Sequence, residues 1–384
     1  MTPTRSPARR GTLAAGHDRP TQGGQGAVTG HLLKVIRERI PLTQTQLAER
    51  LRVDPTTVQA WESGRRPLAA VSAAHLLTLR RRLLAEGADP ASLVLLDVAM
   101  DADSVIGYAL DEGRSAGEVR DHPLAGWVFN RASTHVIAWA LTGTPPAALP
   151  PAPAVTPRRR GPSPHSPVLA APQRRQFFSH MRRSAEIAER IGDAGALLRR
   201  QAVYLCSYDT APDTREWLAD IQGRRPLRFN SSAWSPRWAD ARSLATSLTR
   251  YGDLDQLHGF IEHGLSDDSG ELANLNYWAY WLGHDALPRS DDSFMADSSA
   301  QRWDAGVLLR SLADRLDPEL GCIDLNIHSV WSLLANKPGL PTSYPALAGD
   351  LRHRVARLLD SGSVSRQARR ELDQVHYGLK LSTY

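Results

Sequence analysis

The chain has 384 residues, 42% of them hydrophobic and 23% charged, the balance of a soluble globular protein with room for more than one core. No apolar run approaches a membrane span and the first residues lack the apolar stretch of a signal peptide; Cys206 and Cys322, the only cysteines, are too few for a disulfide framework or a Cys-based metal site. Charge divides unevenly: residues 1–88 hold 14 Lys and Arg against 6 Asp and Glu, a net of +8, and residues 89–384 hold 32 against 35, a net of −3. A basic N-terminal part suits a polyanion such as nucleic acid or an anionic membrane surface.

Residues 1–29 are small, polar and basic, and read as a disordered arm. Helical punctuation is densest over 30–88. Thr43 precedes an apolar-periodic run and Gln46 follows three residues on, which makes a capping box. Leu47, Ala48 and Leu51 then line one face, so a helix of about two turns is predicted over 44–51. Asp54 suits an N-cap and Pro55 the first helical position. Val58 and Trp61 supply the buried side of a second short helix, 55–63, which Gly64 ends. Neither helix is long enough to stand alone, so each must pack on the other and on amphipathic flanks at Leu32–Ile40 and Ala70–Leu84. Ala48 is small enough to let the second helix cross closely above it.

Two short crossed helices with a tight turn between them form a helix-turn-helix. The segment from His31 to Leu84 resembles the phage-repressor-type (XRE-like) helix-turn-helix family. The matching positions are Leu42-Thr43-Gln44, Leu47-Ala48, Leu51, Val53, Thr57-Val58, Trp61-Glu62, Gly64 and Arg65-Arg66-Pro67. The resemblance implies that helix 55–63 enters the major groove of double-stranded DNA, with Pro55, Thr56, Thr57, Gln59 and Ala60 toward the bases. It also implies a phosphate or base contact by Gln44, phosphate contacts by Arg65 and Arg66, and an internal ion pair of Arg37 with Glu62. Two positions depart from the family's habit. Arg52 stands where Gly is frequent, at a strain of roughly 1 kcal/mol if its φ is positive. Ala60 replaces a longer base-reading side chain. Gln59 is then the one side chain suited to reading adenine with two hydrogen bonds, and phosphate contacts are expected to supply most of the affinity.

Residues 89–141 read as a small helical segment. Residues 142–172 read as a Pro-rich, extended linker, because each proline removes a backbone donor and fixes φ; Arg158–Arg160 within it read as a solvated charge run. Over 173–384 the period is helical again, as in the apolar stripe of Leu257, Phe260, Ile261 and Leu265 or that of Leu351, Val355, Leu358 and Leu359. The segments "AEIAERIGDAGALLRRQAVYL" and "ATSLTRYGDLDQLHGFIEHGL" resemble helix pairs of tetratricopeptide-like repeats, without a fixed period through the region. The expected fold class is mainly α: a helix-turn-helix domain plus a larger all-α helical array, solenoid-like or a bundle. In "LNYWAYWLGHD", Tyr277, Trp281 and His284 share a helical face. They are either further core or an aromatic groove for a peptide, small-molecule or protein effector.

Signs of catalysis are missing. No phosphate-cradling glycine loop of the GxxxxGK[ST] type occurs, His258, Glu262 and His263 miss the spacing of a zinc-peptidase motif, and "GLSDDSG" fails that of a nucleophile elbow. No catalytic residue, metal or cofactor is expected. The expectation is a cytoplasmic, bacterial, sequence-specific transcriptional regulator that pairs as a homodimer, with 173–384 as sensor or interaction domain and no membrane partner. The alternative is a protein-interaction scaffold or antitoxin-like partner protein tethered through its helix-turn-helix.

Overall fold

A computed structural model of the chain describes residues 25–111, 119–149, 166–224, 234–285, 287–297 and 303–381. Among the described residues there are helices and turns but no strand. The N-terminal helices are α1 (Ala27–Arg39), α2 (Gln44–Leu51), α3 (Pro55–Glu62), α4 (Ala73–Ala85) and α5 (Pro90–Leu110).

Local capping places most of their starts. The Gln46 N–H donates to Thr43 Oγ1 at 3.1 Å while the Gln46 side chain accepts from the Thr43 N–H at 2.8 Å. This capping box satisfies two of the free backbone donors at the head of α2. Asp54 Oδ1 accepts the Thr56 N–H at 2.8 Å and Pro55 fills the first turn of α3. Between the two helices Arg52 has φ 57°, the only non-glycine left-handed residue among those described, so the anticipated strain is present. The flank predicted from Ala70 starts later, at Ala73. Ser72 caps α4 there, and Leu68–Ala70 form a single tight turn.

α1 is capped from a distance. Gly26, with φ 102°, offers no side chain, and the buried carboxylate of Asp103 on α5 takes over. It accepts the N–H groups of Val28 and Thr29, each at 2.9 Å, and the Thr29 hydroxyl at 2.5 Å. This corrects the arm expected over 1–29: Ala27–Thr29 are helical, because their cap stands more than 70 residues further along the chain. Residues 1–24 lie outside the described residues.

Burial pushes the Asp103 carboxyl up to about 6, against the pull of its hydrogen bonds to Thr29 and Val28. The folded chain therefore holds this proton more tightly than the unfolded chain does. The associated stability is full below the ordinary carboxylate value of 3.8 and is lost as pH rises through about 6. In urea unfolding between pH 4 and 7, the stability of the wild type relative to Asp103→Asn should fall with rising pH by about 2–3 kcal/mol. A difference that is flat or rises with pH would mean that the hydrogen bonds outweigh burial.

α1 lies between α3 and α5 and is the mount of the two short helices. Its approach to α3 is very close. A Cβ on Gly30 would stand 2.3 Å from the Trp61 carbonyl oxygen and 2.9 Å from that of Glu62. Val28, Leu32, Leu33 and Ile36 from α1 meet Leu47 and Ala48 from α2 and Val58 and Trp61 from α3 in one apolar core, which continues along α5.

The remainder is a packed helical array: α6 (Arg131–Thr142), α7 (Ala171–Ile191), α8 (Ala196–Cys206), α9 (Thr214–Arg224), α10 (Pro236–Leu248), α11 (Asp255–Gly264), α12 (Asp268–Trp281), α13 (Ala305–Ala313), α14 (Ile323–Asn336), α15 (Leu340–Ser343), α16 (Pro345–Ser361) and α17 (Arg366–Leu381). α7, α8, α10 and α11 pack in succession, and α14 sits among α11, α12, α13 and α17. The first core runs from Val28 to Leu248. A second spans residues from Val128 and Trp238 to Leu379, and takes in the buried stripes around Leu257 and Leu351. At the linker, α6 reaches Thr142 and α7 starts at Ala171 with Pro172 in its first turn. The Leu169 N–H donates to the Ala140 carbonyl at 2.9 Å. The proline-dense stretch 150–165, including Arg158–Arg160, lies outside the described residues.

Candidate nucleic-acid interface

Helix α3 has two unlike sides. Val58 and Trp61, 0% and 6% exposed, are its anchors in the core. On the other side Thr56 and Gln59 are exposed, and Pro55, Thr57 and Ala60 are half-buried. Arg65 and Arg66 follow immediately, both exposed. The Arg66 N–H donates to the Ala60 carbonyl at 3.0 Å, which ties the turn carrying both arginines to the end of α3. The sequence-predicted residues of 55–66 are thus brought together on one outward ridge, with basic side chains at one end.

Smaller bonds tune the ridge. The Thr56 hydroxyl donates to Asp54 Oδ1 at 2.6 Å, and this bond with the backbone bond from Thr56 holds the Asp54 carboxyl below its ordinary range. In the free protein Thr56 therefore offers an incoming base its oxygen lone pairs and methyl group. Arg65 Nε donates to Ser63 Oγ at 3.2 Å.

Behind the ridge lies a buried ionic network. Arg37 Nε and Nη2 donate to the two Glu62 carboxylate oxygens at 2.5 and 3.0 Å, and Nη1 donates to the Leu42 carbonyl at 2.8 Å. The ion pair implied by the family resemblance is present. Gln44 belongs to the same network: its Nε2 donates to Glu62 Oε2 at 2.7 Å and its side chain is half-buried. The amide expected to touch DNA is therefore held inward by Glu62. Only one of the two Nε2 hydrogens is used there, so the second hydrogen, the carbonyl oxygen and the backbone N–H groups at the head of α2 are left for a contact from this position.

The C-terminal residues singled out in the sequence lie elsewhere. Tyr277 and Trp281 are 5% and 9% exposed, and their rings stack at 5.9 Å inside the second core. His284 turns to Ser311, with Nε2 2.9 Å from its hydroxyl. The burial of Tyr277 and Trp281 fits core placement, whereas His284 is half-buried at the edge. Of the pseudo-zinc motif, His258 bonds to Asp324 at 2.8 Å and His263 to the Gly259 carbonyl at 2.9 Å. Two surface clefts of about 420 and 320 Å3 are lined in part by side chains paired with one another, Arg182 with Asp209 and Asp213 in one and His258 with Asp324 in the other.

Sequence reasoning missed Gly30 and Asp103, the residues that set α1 against α3 and α5. A glycine inside a helical pattern and an aspartate on a distant helix carry no local signal of these jobs. Among the described residues no helix is long and apolar enough to cross a membrane. Neither curated proteins nor solved structures give a match to this chain. A helix-turn-helix family model matches residues 33–72, the stretch from within α1 to the cap of α4. Geometry and family match agree that this segment is a helix-turn-helix unit of the XRE-like, DNA-binding type.

Proposed function

We propose that the protein is a sequence-specific transcriptional regulator of the cytoplasm, which lays α3 in the major groove of double-stranded DNA and uses its C-terminal helices to sense an effector or to hold a homodimer. The observation that carries this reading is the outward ridge of Thr56, Thr57 and Gln59 on a helix whose opposite side is locked into the core. Arg65 and Arg66, exposed at the end of that ridge, would contact backbone phosphates, the sequence-independent part of affinity. One short helix reads few base pairs. Two copies spaced about one helical turn apart multiply the discrimination, which is the reason to expect a dimer.

Charge at Arg65 and Arg66 has a direct readout. In titrations of duplex DNA over a range of salt, the double change Arg65→Ala and Arg66→Ala should flatten the plot of log K against log salt by about 0.9 for each phosphate no longer neutralised. An unaltered slope would show that these arginines do not reach the backbone.

A further inference from the structure

The interior of the array gathers arginines that lack acidic partners. Elsewhere in this region buried guanidiniums find a carboxylate: Arg200 pairs with Asp292 and Arg199 with Asp240. Arg242, Arg250 and Arg315 form no ion pair among the described residues. Arg242 is 3% exposed, gives one hydrogen bond from Nε to Asn274 at 3.2 Å, and leaves Nη2 without a partner. Its guanidinium stands 4.0 Å over the Tyr277 ring and 4.9 Å from that of Trp278. Arg315, just beyond α13, approaches the same Trp278 ring at 5.0 Å, and its buried Nε is also unsatisfied.

Arg250 closes the circle. It donates to hydroxyls alone, those of Ser207, Tyr204 and Tyr208, and lies 3.9 Å over the Tyr208 ring. Arg250 is exposed at the surface, and against the opposing pull of desolvation Tyr204 and Tyr208 raise its pKa. Rings connect it to Arg242: Tyr204 meets Trp281 edge-on at 5.7 Å, and Trp281 stacks on Tyr277. On the α6 side, His135 is held down to about 4, by burial first and then by Arg131, Arg250 and Arg315 together. Cations from separate elements thus act on one region between α6, α8, α10 and α12.

Aromatic faces attract a guanidinium but do not neutralise it, and an unpaired charge in such surroundings is costly to keep. A planar guanidinium matches an oxyanion with two parallel hydrogen bonds, and low local polarity strengthens that attraction. The geometry points to a binding site here for a small organic anion bearing a phosphate or carboxylate group, held by Arg242, Arg250 and Arg315. The site gives a chemistry to the sensing role proposed above; it rests on that reading for its link to DNA, while anion binding itself does not.

Calorimetric titration of the full chain with inorganic phosphate, pyrophosphate and citrate, at constant ionic strength in chloride, tests it. Saturable binding of at least one of these is expected, weakened tenfold or more by Arg250→Gln and by Arg315→Met. The phosphate and citrate arms separate phosphoryl from carboxylate recognition. Arg242→Met should abolish binding and raise the melting midpoint of the ligand-free protein, because it removes an unpaired buried charge. No saturable heat with any of the three anions, or undiminished affinity in Arg250→Gln and Arg315→Met, would overturn the site. Anion binding that leaves DNA affinity unchanged upholds the site and removes only its sensing link, so the two fail separately.

Discussion

Replacing Glu62 by alanine should loosen the helix-turn-helix by about 3–5 kcal/mol, the cost of stranding a buried charge. Its side chain is 3% exposed and that of Arg37 10%, so neither has water to fall back on. Without Glu62 the Arg37 guanidinium keeps the Leu42 carbonyl and a long ion pair to Glu38 at 3.8 Å, and the Gln44 amide is left without its Glu62 acceptor as well. Glu62→Gln, which retains an acceptor but no charge, should fall between. Hydrogen exchange of the α1–α3 amides is the suitable readout, because it isolates this unit from the rest of the chain. Opening should become roughly 10² to 10⁴ times more frequent in Glu62→Ala. Protection equal to that of the wild type would show that the network contributes nothing measurable.

The second large effect is expected from a single added carbon. Alanine is ordinarily better than glycine inside a helix by about 1 kcal/mol. At Gly30 the order should reverse, because the new Cβ meets the carbonyl oxygen of Trp61 at 2.3 Å and backbone has to move. Overpacking of this kind costs about 1–3 kcal/mol, and here it also shifts α1 against the end of α3. Gly30→Ala should therefore lower the melting temperature and weaken DNA binding together. Gly349→Ala is the control: it lies within α16 where a Cβ meets nothing within 4 Å, so it should stabilise. Equal behaviour of the two variants would mean that α1 and α3 are not in close contact.

Legibility in the sequence followed the range of the interaction. Thr43, Gln46, Asp54 and Pro55 act within four residues of themselves, so the bounds of α2 and α3 could be read directly. The alternation of Val58 and Trp61 with Thr56, Thr57 and Gln59 likewise showed which side of α3 faces outward. The start of α1 was hidden because Asp103 supplies its cap from α5. Gln44 looked free because its partner, Glu62, lies on the next helix. The aromatic run around Tyr277 left core and groove open, since a helix apolar on every side gives no direction. Arg242, Arg250 and Arg315 escaped notice for the same reason as Asp103: separate elements supply them, and only packing brings them near one another.

Base reading by the outward side of α3 is tested most directly by one binding comparison. Thr57→Ala combined with Gln59→Ala removes polar groups from the ridge while Val58 and Trp61 keep the helix anchored. Against a duplex selected by the wild-type protein, the double variant should lose about 1–3 kcal/mol of binding free energy, and against random duplex almost none. An equal loss on both duplexes, or none on the selected one, would contradict base reading by this helix.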